Sequence, residues 1–250
     1  MDKDLIRRRF AKALTTYPGE AHVQQSIARR TVQLVADYTD ASAHRRVLEV
    51  GCGTGLFTRQ YVTTFHPGEM WANDLCPEAA GLYADMESPA FHFLPGDAEQ
   101  IGLPDRLSMV VSCSTLQWFE SPERFFGRCR AHLDDGGYLI FTTFGRRNMH
   151  EVSSATGRSL PYRTADELRK ALEAAFEVTY CDESETTVAF DSPLDVLRHL
   201  KMTGVTASGA QAWTRRDLAQ FCRRYDGGRR TADGRVTLTY HPIYFVTKKK

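Results

Sequence analysis

Six cysteines stand at positions 52, 76, 113, 129, 181 and 222, and no two of them form a C-x-x-C pair. That scatter offers neither a disulfide frame nor a zinc site, and free thiols suit a reducing compartment. A surplus of one charge is missing too. Lys and Arg number 32 against 31 Asp and Glu, a formal charge of +1, so bulk electrostatics points to no nucleic-acid partner. No stretch approaches the roughly 18 to 20 apolar residues of a membrane span. The opening Met1-Asp2-Lys3-Asp4-Leu5-Ile6-Arg7-Arg8-Arg9 lacks the apolar segment of a secretory signal. Internal repeats and low-complexity tracts are also lacking. What remains is 250 residues, 42% of them hydrophobic, enough for one large domain or one domain with an insertion. The expectation is a soluble cytoplasmic protein.

The chain is organised around Val47 to Gly55, V-L-E-V-G-C-G-T-G. Val47, Leu48 and Val50 make a short apolar run suited to a buried parallel strand. Gly51, Gly53 and Gly55 follow, and Leu56 to Val62 resumes with helical spacing. Strand, glycine loop and helix form the first unit of a nucleotide-binding α/β sheet, because glycine lets the backbone turn sharply and approach a ligand. A dinucleotide fingerprint, G-x-G-x-x-G, needs its third glycine at position 56, where Leu56 stands. Glu49 at the strand end fits an anionic pyrophosphate poorly. It suits a cationic amino or sulfonium group.

The other elements follow in order. A helix is predicted over 3–14, Tyr17-Pro18-Gly19 breaks it, and a second helix runs from about 20 to 38. Glu69 to Leu75 reads as the second strand. Asp74 lies 19 positions after Gly55, where a carboxylate accepts from ribose hydroxyls, although a lone Asp at a strand end also serves as a helix N-cap. Phe91 to Leu94 is a third strand, followed by Gly96-Asp97-Ala98-Glu99. Leu107 to Cys113 is the fourth, and Ser114-Thr115-Leu116-Gln117-Trp118-Phe119 leaves its carboxyl end, where open α/β sheets bind ligands. Trp118 and Phe119 also read as packing, whereas Gln117 needs partners if buried. A helix over 122–133, a turn over 134–137 and a fifth strand over 138–144 come next. Residues 145–160 are polar and read as irregular. Thr164 and Glu167 form a capping box for a helix to Ala174. Residues 176–181 and 185–190 are strand-like. Helices over 192–202 and 214–225 look like a lid, with Thr203 to Thr206 ending the first, a turn over 226–234, and strand character over 236–246. The run Arg7 to Arg9 reads as a solvated face and Lys248 to Lys250 as a solvated tail.

E-V-G-C-G-T-G resembles motif I of the class I methyltransferases that use S-adenosylmethionine, and Gly96-Asp97 resembles their adenine-binding motif. More telling are R-x-x-F-x-x-A-x-x-x-Y (Arg7, Phe10, Ala13, Tyr17), H-V-Q-Q-x-I-A from His22 to Ala28, L-Q-W after the fourth strand and F-T-T-F-G at the fifth. To these are added L-x-H-L-K-x-T-G-V (Leu197, His199, Leu200, Lys201, Thr203, Gly204, Val205) and a late L-T-Y-H-P-I-Y. Together they resemble the malonyl-acyl-carrier-protein O-methyltransferase family of biotin synthesis over nearly the whole chain.

The resemblance implies a Rossmann-like fold, a mostly parallel seven-stranded sheet flanked by helices. Cap helices would occupy 1–40, the core 45–190 and 235–250, and a helical lid insertion 191–234. It implies methyl transfer from S-adenosylmethionine to the free carboxyl of a malonyl thioester on acyl carrier protein. The cofactor pocket would be Glu49, Gly51, Gly53, Gly55, Asp74, Leu75, Asp97 and Ala98, with Ser114 near the methionine end. No metal is implied, and the oligomeric state is open.

A carboxylate, with a reference pKa near about 4, is ionised at neutral pH and needs no general base. A polar or Arg clamp would orient it and select it over neutral acyl groups. Tyr17, Gln117 and one of Arg146 or Arg158 are the candidates, with Lys201 and His241 further out. Each has a plainer reading: helix packing for Tyr17, solvated loop charge for the arginines, a lid-to-sheet hydrogen bond for Lys201 and His241. The carrier is acidic as a class, so docking calls for local basic residues. Candidates are Arg7 to Arg9, Arg29-Arg30, Arg146-Arg147, Arg223-Arg224 and Arg229-Arg230.

Three other readings stay open. One is a class I methyltransferase acting on a quinone or phenol precursor, whose phenol, with a pKa near about 10, wants a base or metal. The second is an NAD(P)-dependent oxidoreductase, opposed by Leu56 and Glu49. The third is a non-catalytic S-adenosylmethionine-binding protein.

Overall fold

The structure, a computed structural model, describes residues 1–205, 213–226 and 230–250. Thr206 and Arg229 lie outside those residues, as do 227 and 228 of the expected 226–234 turn.

Nine strands are described: β1 (Arg46–Val50), β2 (Glu69–Asp74), β3 (Phe91–Pro95), β4 (Leu107–Cys113), β5 (Leu133–Phe144), β6 (Phe176–Glu183), β7 (Thr186–Phe190), β8 (Val236–Tyr240) and β9 (Pro242–Lys249). Seven of them pair in the order β3-β2-β1-β4-β5-β9-β6. Only β9 runs against the rest, antiparallel to both β5 and β6. The central strands β1, β4 and β9 and the second half of β5 are buried on both faces, which explains their near-continuous apolar runs. Alternation still sorts the side chains. In β4, Met109 and Val111 join the core beneath the His22–Tyr38 helix, while Val110 joins the core beneath the Pro122–His132 and Ala165–Leu172 helices; Leu107 joins that second core too, across the register irregularity that separates it from Met109.

The chain leaves β1 towards β2 and β3, and returns through β4 to β5 on the other side. The strand order therefore reverses between β1 and β4, and the crevice at their carboxyl ends is the place for a ligand. The glycine loop after β1 and Ser114 to Phe119 after β4 flank that crevice. The first helix, Lys3–Ala13, is capped by Asp2, whose carboxylate accepts from the Leu5 amide at 2.8 Å. Lys3 reaches Glu99 at 2.7 Å and Arg7 reaches Glu78 at 2.9 Å, so the helix closes over the open end of the sheet.

Four expectations are corrected. Tyr17-Pro18-Gly19 does not simply break the chain; Tyr17–Glu20 forms a helical turn, with Pro18 at a first-turn position that needs no amide proton. The expected 134–137 turn is the start of β5, where Leu133 pairs with Leu107 and an irregularity precedes the next pair. Residues 150–156, expected to be irregular, are helical because Glu151, Val152 and Ala155 bury one face. Glu151 there accepts from the Thr239 amide at 3.0 Å and its hydroxyl at 2.6 Å. Finally, β7 and β8 lie outside the central sheet. They pair with each other from Thr186↔Tyr240 to Phe190↔Val236. The Pro193–Met202 and Arg215–Asp226 helices are inserted between these two strands. The capping box of Thr164 and Glu167 is present as expected.

Candidate functional site

A cavity with about 1050 Å³ of empty space opens at the carboxyl ends of β1, β2 and β4. The backbone that forms it needs glycine. Gly51 has φ +77°, and a Cβ there would fall 2.0 Å from Thr115 Oγ1. Gly53 has φ +51°, yet a Cβ on it would meet no atom within 4 Å, because it would stand in the open cavity. The first glycine is thus required by the fold and the second leaves room for an occupant. Glu49, Asp74, Leu75, Asp97, Ala98 and Ser114 line the same cavity with these two glycines. Gly55 does not line it; at φ +86° it turns the loop into the Thr58–Phe65 helix.

Three carboxylates are held in place. Asp74 accepts from the Gly53 amide and the Cys76 amide, each at 2.8 Å, and burial still raises its pKa. Both bonds use in-plane lone pairs and leave others for a ligand's hydroxyls. Glu49 is buried and accepts from Thr58 Oγ1 at 2.7 Å. Burial pushes its carboxyl up to about 8, against the pull of that bond and with a small upward push from Asp74. Asp97 accepts from the Glu99 amide at 3.0 Å, and Lys3 lies 3.4 Å away, placing the first helix against that end of the cavity.

A second, smaller cavity of about 390 Å³ adjoins the first. Phe10, Tyr17, Gln24, Ser114 and Trp118 line both. Phe10 meets Trp118 edge to face at 5.4 Å between centroids. The rest of the second wall is Gln117, Phe144, Asn148, Met149, Leu160, Tyr162, Thr203 and Val205. Gln117 donates to the Ser114 carbonyl and accepts from Thr143 at 3.3 Å, which leaves one amide proton for a ligand. Asn148 donates to Tyr162 Oη at 2.8 Å. Burial raises the Tyr17 phenol beyond its usual range, with the charges of Asp74 and Cys113 adding, so it stays a donor. No Lys or Arg lines the second cavity among the described residues.

The basic candidates are elsewhere. Arg146 is 62% exposed and pairs with Glu167 at 2.6 Å. Arg158 and Lys201 are exposed and line neither cavity. His241 is buried, but its Nδ1 accepts from the Arg147 amide at 3.3 Å and its Nε2 faces Glu183 at 3.1 Å, a link between loop and sheet. The structure therefore brings Tyr17 and Gln117 together and leaves both arginines outside. Several docking candidates are already paired: Arg7 with Glu78, Arg30 with Asp182, Arg147 with Glu185.

Gln24, Asn148 and Tyr162 escaped the sequence reading. Gln24 carried a signal: it falls in register with Ile27, Ala28, Thr31, Leu34 and Val35, a polar residue on the buried stripe of its helix. Asn148 and Tyr162 had none, because only the fold brings that loop over the crevice. The late T-G-V motif finds its place here. Gly204, at φ +74°, packs so closely on Phe10 that a Cβ would lie 2.6 Å from the ring.

Among the described residues no His, Cys, Asp and Glu gather as a metal site, and no helix is long and apolar enough to cross a membrane.

Residues 48–141 match the family model of a methyltransferase domain. Among solved structures, the YcgJ protein of Bacillus subtilis shares the fold with a TM-score of 0.66 at 13% identity, over 89% of this chain and 99% of that one. The N-methyltransferase NodS of Bradyrhizobium japonicum, solved with S-adenosyl-L-homocysteine, does so with a TM-score of 0.51 at 16% identity, over 88% and 86%. The malonyl-[acyl-carrier protein] O-methyltransferase of Bacteroides thetaiotaomicron is 44% identical over 261 residues, covering 100% of this chain and 99% of its own. That of Haemophilus influenzae is 35% identical over 248 residues, covering 99% and 95%. With relatives of that identity from end to end, the chain belongs to the malonyl-[acyl-carrier protein] O-methyltransferase family of S-adenosylmethionine-dependent enzymes.

Proposed function

We propose that the larger cavity binds S-adenosylmethionine, that the smaller one receives the malonyl end of a thioester carried on acyl carrier protein, and that the methyl group passes between them. The product is the malonyl methyl ester from which pimeloyl synthesis for biotin begins. The observation that supports this reading is the shared wall of Phe10, Tyr17, Gln24, Ser114 and Trp118, where two cavities of different character meet.

The chain's residues suit the cofactor. Asp74, oriented by two amides, offers acceptors to the ribose hydroxyls. Asp97, Ala98 and Leu75 would hold the adenine, and the open face of Gly53 gives room for close approach. Glu49 and Ser114, which line the same cavity, would hold the methionine end. When bound, the cofactor supplies a methyl group activated by its own sulfonium charge.

No residue has to remove a proton, because the malonyl carboxyl is ionised at neutral pH. Tyr17 donates to that carboxylate, and the free amide proton of Gln117 supports it. Trp118 and Phe10 exclude water from the junction, which strips the nucleophile of solvent and holds it in line. The lid expected over 191–234 is proposed for its described residues, since Thr203 and Val205 form part of the wall of the second cavity; 206–212 and 227–229 lie outside the described residues.

The test is radiolabelled methyl transfer from S-adenosylmethionine to malonyl-, acetyl- and succinyl-acyl carrier protein. Label in malonyl alone is expected. No label in any of them, with cofactor binding intact by calorimetry, overturns the reading.

A further inference from the structure

Gln24 lies in the wall common to both cavities and is 8% exposed. Its carbonyl oxygen is shut off from solvent and accepts no hydrogen bond from the protein. A buried acceptor without a donor is destabilising, and a methionine would fill the same space without that cost.

The neighbouring residues explain why no donor reaches it. The Gln24 amide lies against the Tyr240 hydroxyl. Tyr240 Oη is 2.7 Å from His199 Nε2, and His199 Nδ1 is 3.3 Å from Glu20. A carboxylate only accepts, so Nδ1 carries the ring proton of neutral His199 and Nε2 is an acceptor. Tyr240 therefore spends its one proton on His199. Its oxygen takes the Gln24 N–H, and the Gln24 carbonyl is left unpaired. Turning the amide over would set two acceptors against each other.

An acceptor repels a carboxylate and attracts a cation. Resting on the reading above, we infer that the Gln24 carbonyl oxygen accepts from the cationic methionine end of the cofactor, either its sulfonium-bound methyl or its ammonium group. Glu49 lines the same cavity and adds a second acceptor for that end. An amide is the right group at the junction. It draws the cation without repelling the anionic malonyl group that enters from the other side, as a carboxylate would. Tyr17 donates to the substrate's anion, and Gln24 accepts from the cofactor's cation.

The test is calorimetric binding of S-adenosylmethionine, S-adenosylhomocysteine and 5′-methylthioadenosine to the full chain and to Gln24→Met. The variant is expected to bind S-adenosylmethionine about tenfold more weakly. Methylthioadenosine, which lacks both cationic groups, should bind as before. The Tm of the unliganded variant should hold or rise, because an unpaired acceptor has gone. S-adenosylhomocysteine separates the two sources: loss there assigns the ammonium, no loss assigns the sulfonium methyl. Unchanged S-adenosylmethionine binding, or equal loss for all three ligands with a lower Tm, overturns the inference. Failure of the underlying reading would appear separately, as absence of methyl ester with the unaltered enzyme.

Discussion

Thr58 Oγ1 donates to Glu49 Oε2 at 2.7 Å beside the larger cavity. That one hydroxyl does not offset burial, which holds the Glu49 carboxyl at about 8. A cation beside Glu49 favours the ionised form, so cofactor binding releases a proton near neutral pH. Affinity for S-adenosylmethionine is expected to rise between pH 6 and about 8, and calorimetry in buffers of different ionisation enthalpy should detect the proton. Glu49→Gln should weaken binding and flatten the rise relative to the unaltered enzyme. The stability of the unliganded protein should move the other way. The folded pKa stands above the unfolded value, so this group's contribution is complete below about 4.5 and is lost as pH climbs towards about 8, on the order of a few kcal/mol. Thermal melts of Glu49→Gln against the unaltered chain over that window check the sign.

The two glycines that face in different directions should fail differently. Gly51→Ala drives a Cβ into Thr115 Oγ1 and is expected to lower Tm sharply. Gly53→Ala meets no protein atom; it costs about 1 to 2 kcal/mol for its left-handed backbone but should reduce cofactor affinity more than stability accounts for. Melting curves and calorimetry on both variants separate the effects.

Tyr17→Phe should lower kcat/KM for malonyl-acyl carrier protein by about ten- to a hundredfold, the value of a hydrogen bond to a charged group, with little change in cofactor affinity. Arg146→Ala and Arg158→Ala should leave kcat/KM within about twofold, since exposed charges contribute little. A large loss in either arginine variant, with Tyr17→Phe active, would return the clamp to the loop.

Gly204→Ala is expected to raise KM for the carrier-bound substrate and to destabilise by about 1 to 3 kcal/mol, through its left-handed backbone and contact with Phe10. Gly19→Ala is the control. That glycine has no positive φ and no atom within 4 Å of an added Cβ, so its replacement should be neutral or slightly stabilising.

The gathering of Glu49, Gly51, Gly53, Asp74 and Asp97 at one cavity was legible because local sequence determines it. A strand, three glycines at alternate positions and an acidic residue at the end of the next strand constrain one another through the backbone alone. The wall of the smaller cavity includes Tyr17, Gln24, Gln117, Asn148 and Tyr162, which come from three distant parts of the chain. Whether a loop arginine such as Arg146 faces inward depends on where Glu167 lies, and nothing near residue 146 records that. The 150–156 helix was hidden for a similar reason. Its Glu151 looks solvent-facing in sequence, and becomes a core residue only because β8 offers it the Thr239 amide and hydroxyl. The separate pairing of β7 with β8 was equally out of reach, since strand character is local and strand partnership is not.

Among the described residues no basic side chain stands in the wall of the smaller cavity, and this bears on how the enzyme lets go of its product. In the proposed reaction the malonyl anion finds in the sulfonium the full counter-charge that the described wall does not supply, and methyl transfer extinguishes both at once. An arginine clamp would survive that event as a buried cation facing an ester, with its desolvation uncompensated. Neutral donors such as Tyr17 and Gln117 leave nothing stranded. Two ions enter a poorly hydrated space, two neutral groups leave it, and each turnover restores an uncharged cavity.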